Sequence, residues 1–272
     1  MEGFVLKSEY FDPSATLGCG QVFRFRPFRE GYLAFAEDKA CYVFCDGADT
    51  HVVSEDAAYF QNYFDVSRDY GEIVRAAKRC GVPALAAAAE KGKGIRILRQ
   101  NTEEALLWFI VSQNNRIPRI KSIIERICTA LGEERSFMGE RYFAYPGAAK
   151  LAEKGADFYE ALGAGYRGAY ITKTAEAVAE GGLAPLYALR GGQLRKKLTE
   201  FAGVGPKVAD CAALFGFADT GAFPVDTWIE KVYREDFGGK SRNREDIAAY
   251  FSEKFGEYGG FFQQYLFYYK RG

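Results

Sequence analysis

Histidine is almost missing from this chain: His51 is the only one in 272 residues. That leaves no material for a histidine-built metal centre and argues against a Ser–His–Asp triad. No stretch approaches the roughly 20 apolar residues that a membrane helix needs. The opening MEGFVLKSEY has neither the basic start nor the apolar core of a secretory signal, so an intracellular protein with no membrane partner is expected. The six cysteines (19, 41, 45, 80, 128 and 211) are scattered, which predicts buried, reduced thiols rather than disulfides or metal ligands. Only Cys41 and Cys45 are close, and in an alternating strand they face the same side. Net charge is also absent, with 36 basic against 36 acidic residues, so nothing global attracts a polyanion. Neither a repeat of fixed period nor a low-complexity segment is found.

Apolar and aromatic side chains are plentiful. With 23 Phe and 18 Tyr the chain can bury the core of one large domain or two intimate ones. Charge is also locally uneven. Residues 190–207 carry Arg190, Arg195, Lys196, Lys197 and Lys207 against Glu200 alone, and residues 114–126 carry Arg116, Arg119, Lys121 and Arg126 against Glu125 alone. A DNA-binding face and a solvated helix face account for these clusters equally well.

The two parts of the chain differ in pattern. Up to residue 53, short β-type runs (FVL, QVFRFRPF, YLAFA, ACYVFC and THVV) alternate with turn chemistry, predicting a small antiparallel sheet. Ser54 is the expected N-cap of a helix reaching Phe64. Beyond it the pattern is helical almost without interruption. NTEEALLWFIVSQ has an asparagine cap and an acidic first turn, and IPRIKSIIERICTALG ends at Gly132. The resulting expectation is an α+β protein, with a twisted antiparallel sheet domain over 1–95 and an all-α body over 96–272.

Within that body lies FAGVGPKVAD, residues 201–210. A helix read as ending at Gly203 is followed by two glycines able to take positive φ, Gly203 and Gly205, and by Pro206 at the first position of the next helix. Two helices joined this way over 193–216 form a helix–hairpin–helix. Its outward backbone N–H groups suit a DNA phosphate, and the small Ala209 and Ala212 allow close helix approach. Lys207, in the first helical turn, reads either as a phosphate contact or as a nucleophile. The positive end of a helix disfavours an ammonium there, which favours the neutral amine a nucleophile requires. Nineteen residues on, PVD brings Asp226 to the N-cap of another helix. Its carboxylate can cap for about 1 kcal/mol, or stabilise a sugar cation and help move protons.

A hairpin lysine followed by PVD resembles the helix–hairpin–helix DNA glycosylase superfamily, and the pairing makes Lys207 the expected nucleophile. No cysteine follows Cys211, so the iron–sulfur cluster of the endonuclease III and adenine glycosylase branches is missing, and alkyl-base glycosylases usually lack the lysine. The remaining resemblance, covering nearly the whole chain, is to the eukaryotic-type 8-oxoguanine DNA glycosylase/lyase family with its bacterial relatives. GCGQVFRFRPF is similar to that family's SGQSFRW, which implies that the Gly20 carbonyl receives the N7–H distinguishing 8-oxoguanine from guanine. VSQNNRIPRI resembles SSNNNIARI and implies Asn114 and Arg119 beside the orphaned cytosine. LGAGYRGAYI resembles LGLGYRARYV, implying Tyr166 as the wedge and Arg167 as its partner at the orphan base. GFFQQYLF resembles GWAQAVLF, implying Gln263 at the Watson–Crick edge and Phe267 stacked on the base, with Cys211 against the other face. Read without the resemblance, Gly20 is a strand bulge and Phe267 and Cys211 are core residues.

The chain departs from the family pattern at Trp228 (often histidine), Lys270 (commonly aspartate), Gln113 and Arg116. The resemblance implies a bifunctional glycosylase and strand-cleaving lyase for 8-oxoguanine opposite cytosine in double-stranded DNA. The enzyme is expected to be monomeric, cytoplasmic and nucleoid-associated if bacterial. It would need no metal or organic cofactor beyond a structural cation at the hairpin carbonyls. The rival readings are a glycosylase for another damaged base and a non-catalytic hairpin module that only binds DNA.

Overall fold

The computed structural model describes residues 1–272. Strands β1 (Glu2–Lys7), β2 (Phe25–Phe28), β3 (Gly31–Ala36), β4 (Lys39–Asp46) and β5 (Asp49–Ser54) form one antiparallel sheet in the order β1-β5-β4-β3-β2. Helix α1 (Pro13–Gly18) interrupts the strands early, and α2 (Ala57–Tyr63), α3 (Tyr70–Arg79) and α4 (Pro83–Gly92) follow them. Next come α5 (Thr102–Ser112), α6 (Ile117–Leu131) and a two-stranded hairpin of β6 (Glu134–Phe137) and β7 (Glu140–Phe143). The rest is helical. It comprises α7 (Ala148–Ala152), α8 (Ala156–Ala161), α9 (Arg167–Ala179), α10 (Gly191–Leu198), α11 (Pro206–Phe215), α12 (Thr227–Glu235), α13 (Arg244–Phe255) and α14 (Gly259–Arg271). The α+β arrangement expected from the sequence is the one observed.

The sheet is covered on both faces, in keeping with β3 (GYLAFA), which is buried almost throughout instead of alternating. Cys41, Val43 and Val52 pack against Phe11, Leu17, Phe60 and Phe64 from α1, α2 and their flanks. On the other face Leu33, Phe35 and Tyr42 meet Phe137 and Tyr142 of the β6–β7 hairpin, with the Phe35 and Tyr142 rings 4.8 Å apart. A larger core fills the helical body. Ile73 of α3 and Leu85 of α4 belong to it together with Ile123, Leu214 and Phe261, so this core is shared across residue 95.

Sheet and body are bolted together by a buried ion pair, Arg24 Nη1 to Glu104 Oε1 at 2.7 Å. Each partner is further satisfied, as a buried pair must be. Arg24 donates to the carbonyls of Glu37 and Phe143, and Glu104 accepts from Trp108 Nε1 and from the Glu37 amide.

Several local expectations are corrected. Ser54 is not a helix cap: it ends β5 and donates to the Ala40 carbonyl, while Asp56 caps α2 by accepting from the Tyr59 amide. The run QVFR is not a strand; only Phe25–Phe28 pairs in the sheet. The body is less uninterrupted than its sequence suggests, because Met138 and Gly139, both at positive φ, turn the β6–β7 hairpin. Cys45 and Cys80 are exposed, although the other four thiols are buried as expected. Helix α10 stops at Leu198, with Thr199 as its C-cap, so a five-residue turn rather than helix precedes Val204.

Candidate active site

The hairpin is built from α10, the turn to Gly205, and α11. Gly203 has φ 74°, and a side chain there would run into the Tyr170 ring, so glycine is required on both counts. Gly205 corrects the expectation of a second positive φ: it sits at φ −81° as the N-cap of α11. Open space lies in front of it, since a β-carbon there would meet nothing within 4 Å. Close backbone approach by a ligand is what that glycine permits. Ala209 and Ala212 of α11 are fully buried.

Two cavities adjoin α11. The first is a cleft of about 770 Å³ between the α5–α6 loop, the hairpin and the starts of α12 and α13. Its charged lining is mixed, with Arg195, Lys207, Arg242 and Arg244 facing Asp210, Asp226 and Glu245. The second is a small cavity of about 50 Å³ behind it, where Gly20, Lys207, Cys211, Asp226, Gln263 and Phe267 come together with Phe109, Pro224 and Gln264. All six residues singled out from the sequence for catalysis and base recognition therefore meet in one place. Lys207 and Asp226 are the only residues that line both cavities.

Each of the six is held by a local cause. Lys207 lies in the first turn of α11, its Nζ 5.4 Å from the centroid of the Phe109 ring. Cys211 follows one turn later, and burial pushes its thiol up to about 11, against the pull of the Lys207 charge, so it is a neutral wall. Asp226 caps α12, its Oδ1 accepting from Trp228 N at 3.0 Å and Ile229 N at 2.9 Å. Burial raises its pKa above the ordinary aspartate value; the Ile229 N–H, the Lys207 charge, the Trp228 N–H and Arg244 oppose that rise. Gly20 has φ 93° and follows α1 in a turn, not a strand bulge. Gln21 anchors it, donating from Nε2 to the carbonyls of Thr16 and Arg96, both at 2.8 Å, and accepting from Leu98 N at 2.9 Å. Arg271 on α14 donates to the Gly18 carbonyl at 2.8 Å and covers the Phe267 ring at 5.3 Å. Gln263 is buried and donates to the Pro224 carbonyl at 3.0 Å.

The residues expected at the orphan base divide. Tyr166 is 52% exposed at the start of α9, and Asn114 Nδ2 donates to its hydroxyl at 3.4 Å. Arg119 is exposed and donates to the Gly163 carbonyl at 3.3 Å. Arg167 does not join them. It is 5% exposed, and its guanidinium is taken up by the carbonyls of Gln113, Asn114 and Ala164. Here it fixes the α5–α6 loop.

The two basic clusters are partly diverted as well. Lys197 pairs with Glu200 at 3.0 Å, and Lys121 rests 3.6 Å from the Phe25 ring centroid. Arg242 and Arg244 in the cleft were not foreseen, because KSRNRED reads as an ordinary polar loop entering a helix. Of the departures, Lys270 forms ion pairs with Glu235 at 2.9 Å and Asp236 at 3.1 Å, and Trp228 is partly exposed. His51 lies stacked on Phe44 with ring centroids 5.1 Å apart. No helix is long and apolar enough to cross a membrane.

Comparison with known proteins gives the following. A family model for the 8-oxoguanine DNA glycosylase N-terminal domain matches residues 4–106. The 8-oxoguanine glycosylase/lyase of Clostridium acetobutylicum, solved in complex with dsDNA containing cytosine opposite to 8-oxoG, superposes with a TM-score of 0.92 at 36% identity, covering 99% of this chain and 95% of that one. The N-glycosylase/DNA lyase OGG1 of Arabidopsis thaliana is 32% identical over 198 residues, 68% of this chain and 54% of that protein. The probable N-glycosylase/DNA lyase of Methanothermobacter thermautotrophicus is 29% identical over 204 residues, 67% of this chain and 65% of that protein. The match thus spans between about half and two thirds of the length of these two curated relatives.

Proposed function

Because this chain belongs to the 8-oxoguanine DNA glycosylase/lyase family, we propose that it excises 8-oxoguanine from duplex DNA, preferentially opposite cytosine, and then cuts the strand at the vacated sugar. The observation carrying this reading is the junction of the two cavities at Lys207 and Asp226. Sugar C1′ cannot be reached inside a base stack, so the nucleotide must flip. With the backbone in the large cleft and the base in the small cavity, C1′ lies where the two meet.

The chemistry follows from the residues at that junction. The neutral amine of Lys207 attacks C1′; the bond to the base nitrogen breaks, and the base leaves with the electron pair. Asp226, partly buried close by, stabilises the positive charge developing on the sugar with its carboxylate. Loss of the amine proton and opening of the sugar ring give an imine between Nζ and C1′. The imine acidifies the C2′ proton, whose removal expels the 3′ phosphate and nicks the strand. The resemblance implies that the departing base carries protons in these steps. Side chains and base suffice, so EDTA leaves the rate unchanged.

The flipped base would lie between Phe267 of α14 and Cys211 of α11, both of which line the small cavity. Arg119, exposed beside Asn114 and Tyr166, donates to cytosine acceptors and has no equally good match to adenine.

Borohydride trapping on a duplex with one 8-oxoguanine opposite cytosine tests the reading. A covalent protein–DNA band is expected, lost in Lys207→Gln while lesion-duplex binding persists. Free base without a band would mean that Asp226 activates water instead. Neither band nor free base would overturn the assignment of the lesion or of the activity.

A further inference from the structure

Gln264 has no counterpart among the residues discussed so far. It follows Gln263 on α14 and is 4% exposed. Its side chain lines the small cavity. Its amide Nε2 donates to Gln263 Oε1 at 2.8 Å, and its own Oε1 is buried without any hydrogen-bond partner.

The polarity of this pair is set from one end. The Pro224 carbonyl can only accept, so the Gln263 group facing it at 3.0 Å must be the donor, Nε2. Gln263 Oε1 therefore faces Gln264. An oxygen can only accept, so Gln264 must offer Nε2 to it, leaving Gln264 Oε1 as the unpaired atom. Neither amide can be inverted without setting two like groups against each other. Gln264, which lines the cavity, thus carries an unpaired acceptor whose identity is fixed by a backbone carbonyl two residues before Asp226. An unpaired buried acceptor is costly in a native structure and marks a position for an incoming donor.

We propose, building on the glycosylase reading above, that Gln264 is a specificity-determining residue whose Oε1 accepts from the exocyclic 2-amino group of the flipped base. Guanine-type bases present two adjacent donors on the Watson–Crick edge, N1–H and the 2-amino group. The glutamine pair presents two adjacent acceptors, the remaining lone pair of Gln263 Oε1 and the free Gln264 Oε1. The 2-amino group is the only one of the two donors with a second hydrogen, so it can serve both oxygens. A base that lacks it leaves Gln264 Oε1 buried and unpaired, and sites of that kind reject the deficient analogue strongly.

The test is single-turnover excision from duplexes carrying 8-oxoguanine or 8-oxohypoxanthine opposite cytosine; the second base differs only by loss of the 2-amino group. The wild-type protein should favour 8-oxoguanine by at least about ten-fold. Gln264→Met fills similar volume without an acceptor, and should bring the two rates within roughly three-fold of one another by slowing 8-oxoguanine. An unchanged ratio in Gln264→Met would overturn the role of Gln264. Equal rates in the wild-type protein would overturn it as well, with no variant needed should Gln264→Met fail to fold. Wild-type protein that released neither base would instead sink the glycosylase reading itself.

Discussion

Arg195 of α10 and Asp210 of α11 meet at 2.9 Å, Nε to Oδ1, so that one buried carboxylate staples the two helices of the hairpin. Burial pushes the Asp210 pKa up to about 7; Arg195 pulls it down, and Glu245 and Asp219 push it further up. The folded protein therefore holds this proton more tightly than the unfolded chain does. Between the ordinary value of 3.8 and about 7, this group makes the fold more stable as pH falls and less stable as pH rises. Thermal unfolding of wild type and Asp210→Asn at a series of pH values should give curves whose difference slopes in that window and is flat above about pH 8. A level difference throughout would show that Asp210 titrates normally.

Asp226 has one observed duty, capping α12, and one proposed, stabilising charge on the sugar. Asparagine caps helices about as well as aspartate but carries no charge. Asp226→Asn should unfold within roughly 0.5 kcal/mol of wild type, while excision slows about 100-fold. Single-turnover kinetics alongside chemical denaturation decide it; near-normal excision would reduce Asp226 to a cap.

Gln21 makes three buried hydrogen bonds that fix the turn carrying Gly20. Gln21→Leu should cost about 3 kcal/mol of stability. It should also blunt discrimination between 8-oxoguanine and guanine more than it weakens duplex binding. Competition between lesion and undamaged duplexes measures the first effect, and titration measures the second.

Tyr166 is exposed and Arg167 is not, so neighbouring substitutions should fail in different ways. Tyr166→Ala is expected to leave stability within about 0.5 kcal/mol but to slow base flipping, read with a fluorescent base analogue beside the lesion. Arg167→Ala should lower stability by about 2 kcal/mol, because the carbonyls of Gln113, Asn114 and Ala164 lose their donors. A stable Arg167→Ala with altered opposing-base preference would restore it to the DNA interface.

Arg119→Ala should flatten the ranking of the four opposing bases while sparing excision opposite an abasic position. Rates that are already equal in wild type would show that Arg119 does not read the orphan base.

Local chemistry made parts of this architecture legible in the sequence. Asn101 before an acidic first turn, Pro206 at N1 and Asp226 after a proline are helix-start signals whose mechanism acts within four residues, and all three hold. Features set at longer range were not legible. Asp56 displaced Ser54 as a cap because Ser54 was needed by the sheet. The β6–β7 hairpin exists because the exposed face of the sheet needs Phe137 and Tyr142. Gly20, Gln263 and Phe267 were reachable only through resemblance, since a glycine turn and buried helix residues look like ordinary core until the fold brings them to Lys207. The burial of Arg167 was illegible for the same reason: an arginine beside an exposed tyrosine gives no sign, in sequence, that three carbonyls will hold it.

The small cavity draws its walls from the turn at Gly20, from α11 and from α14, and Arg271 closes it by reaching back to Gly18. Its order of assembly in time follows from that. The hairpin of α10 and α11 closes within residues 191–215. The small cavity cannot be completed until α14 has been synthesised and docked, Arg271 lying 253 residues after Gly18 in the chain. On the proposed function, strand cutting therefore waits for the last helix of the chain, while the hairpin is complete long before it.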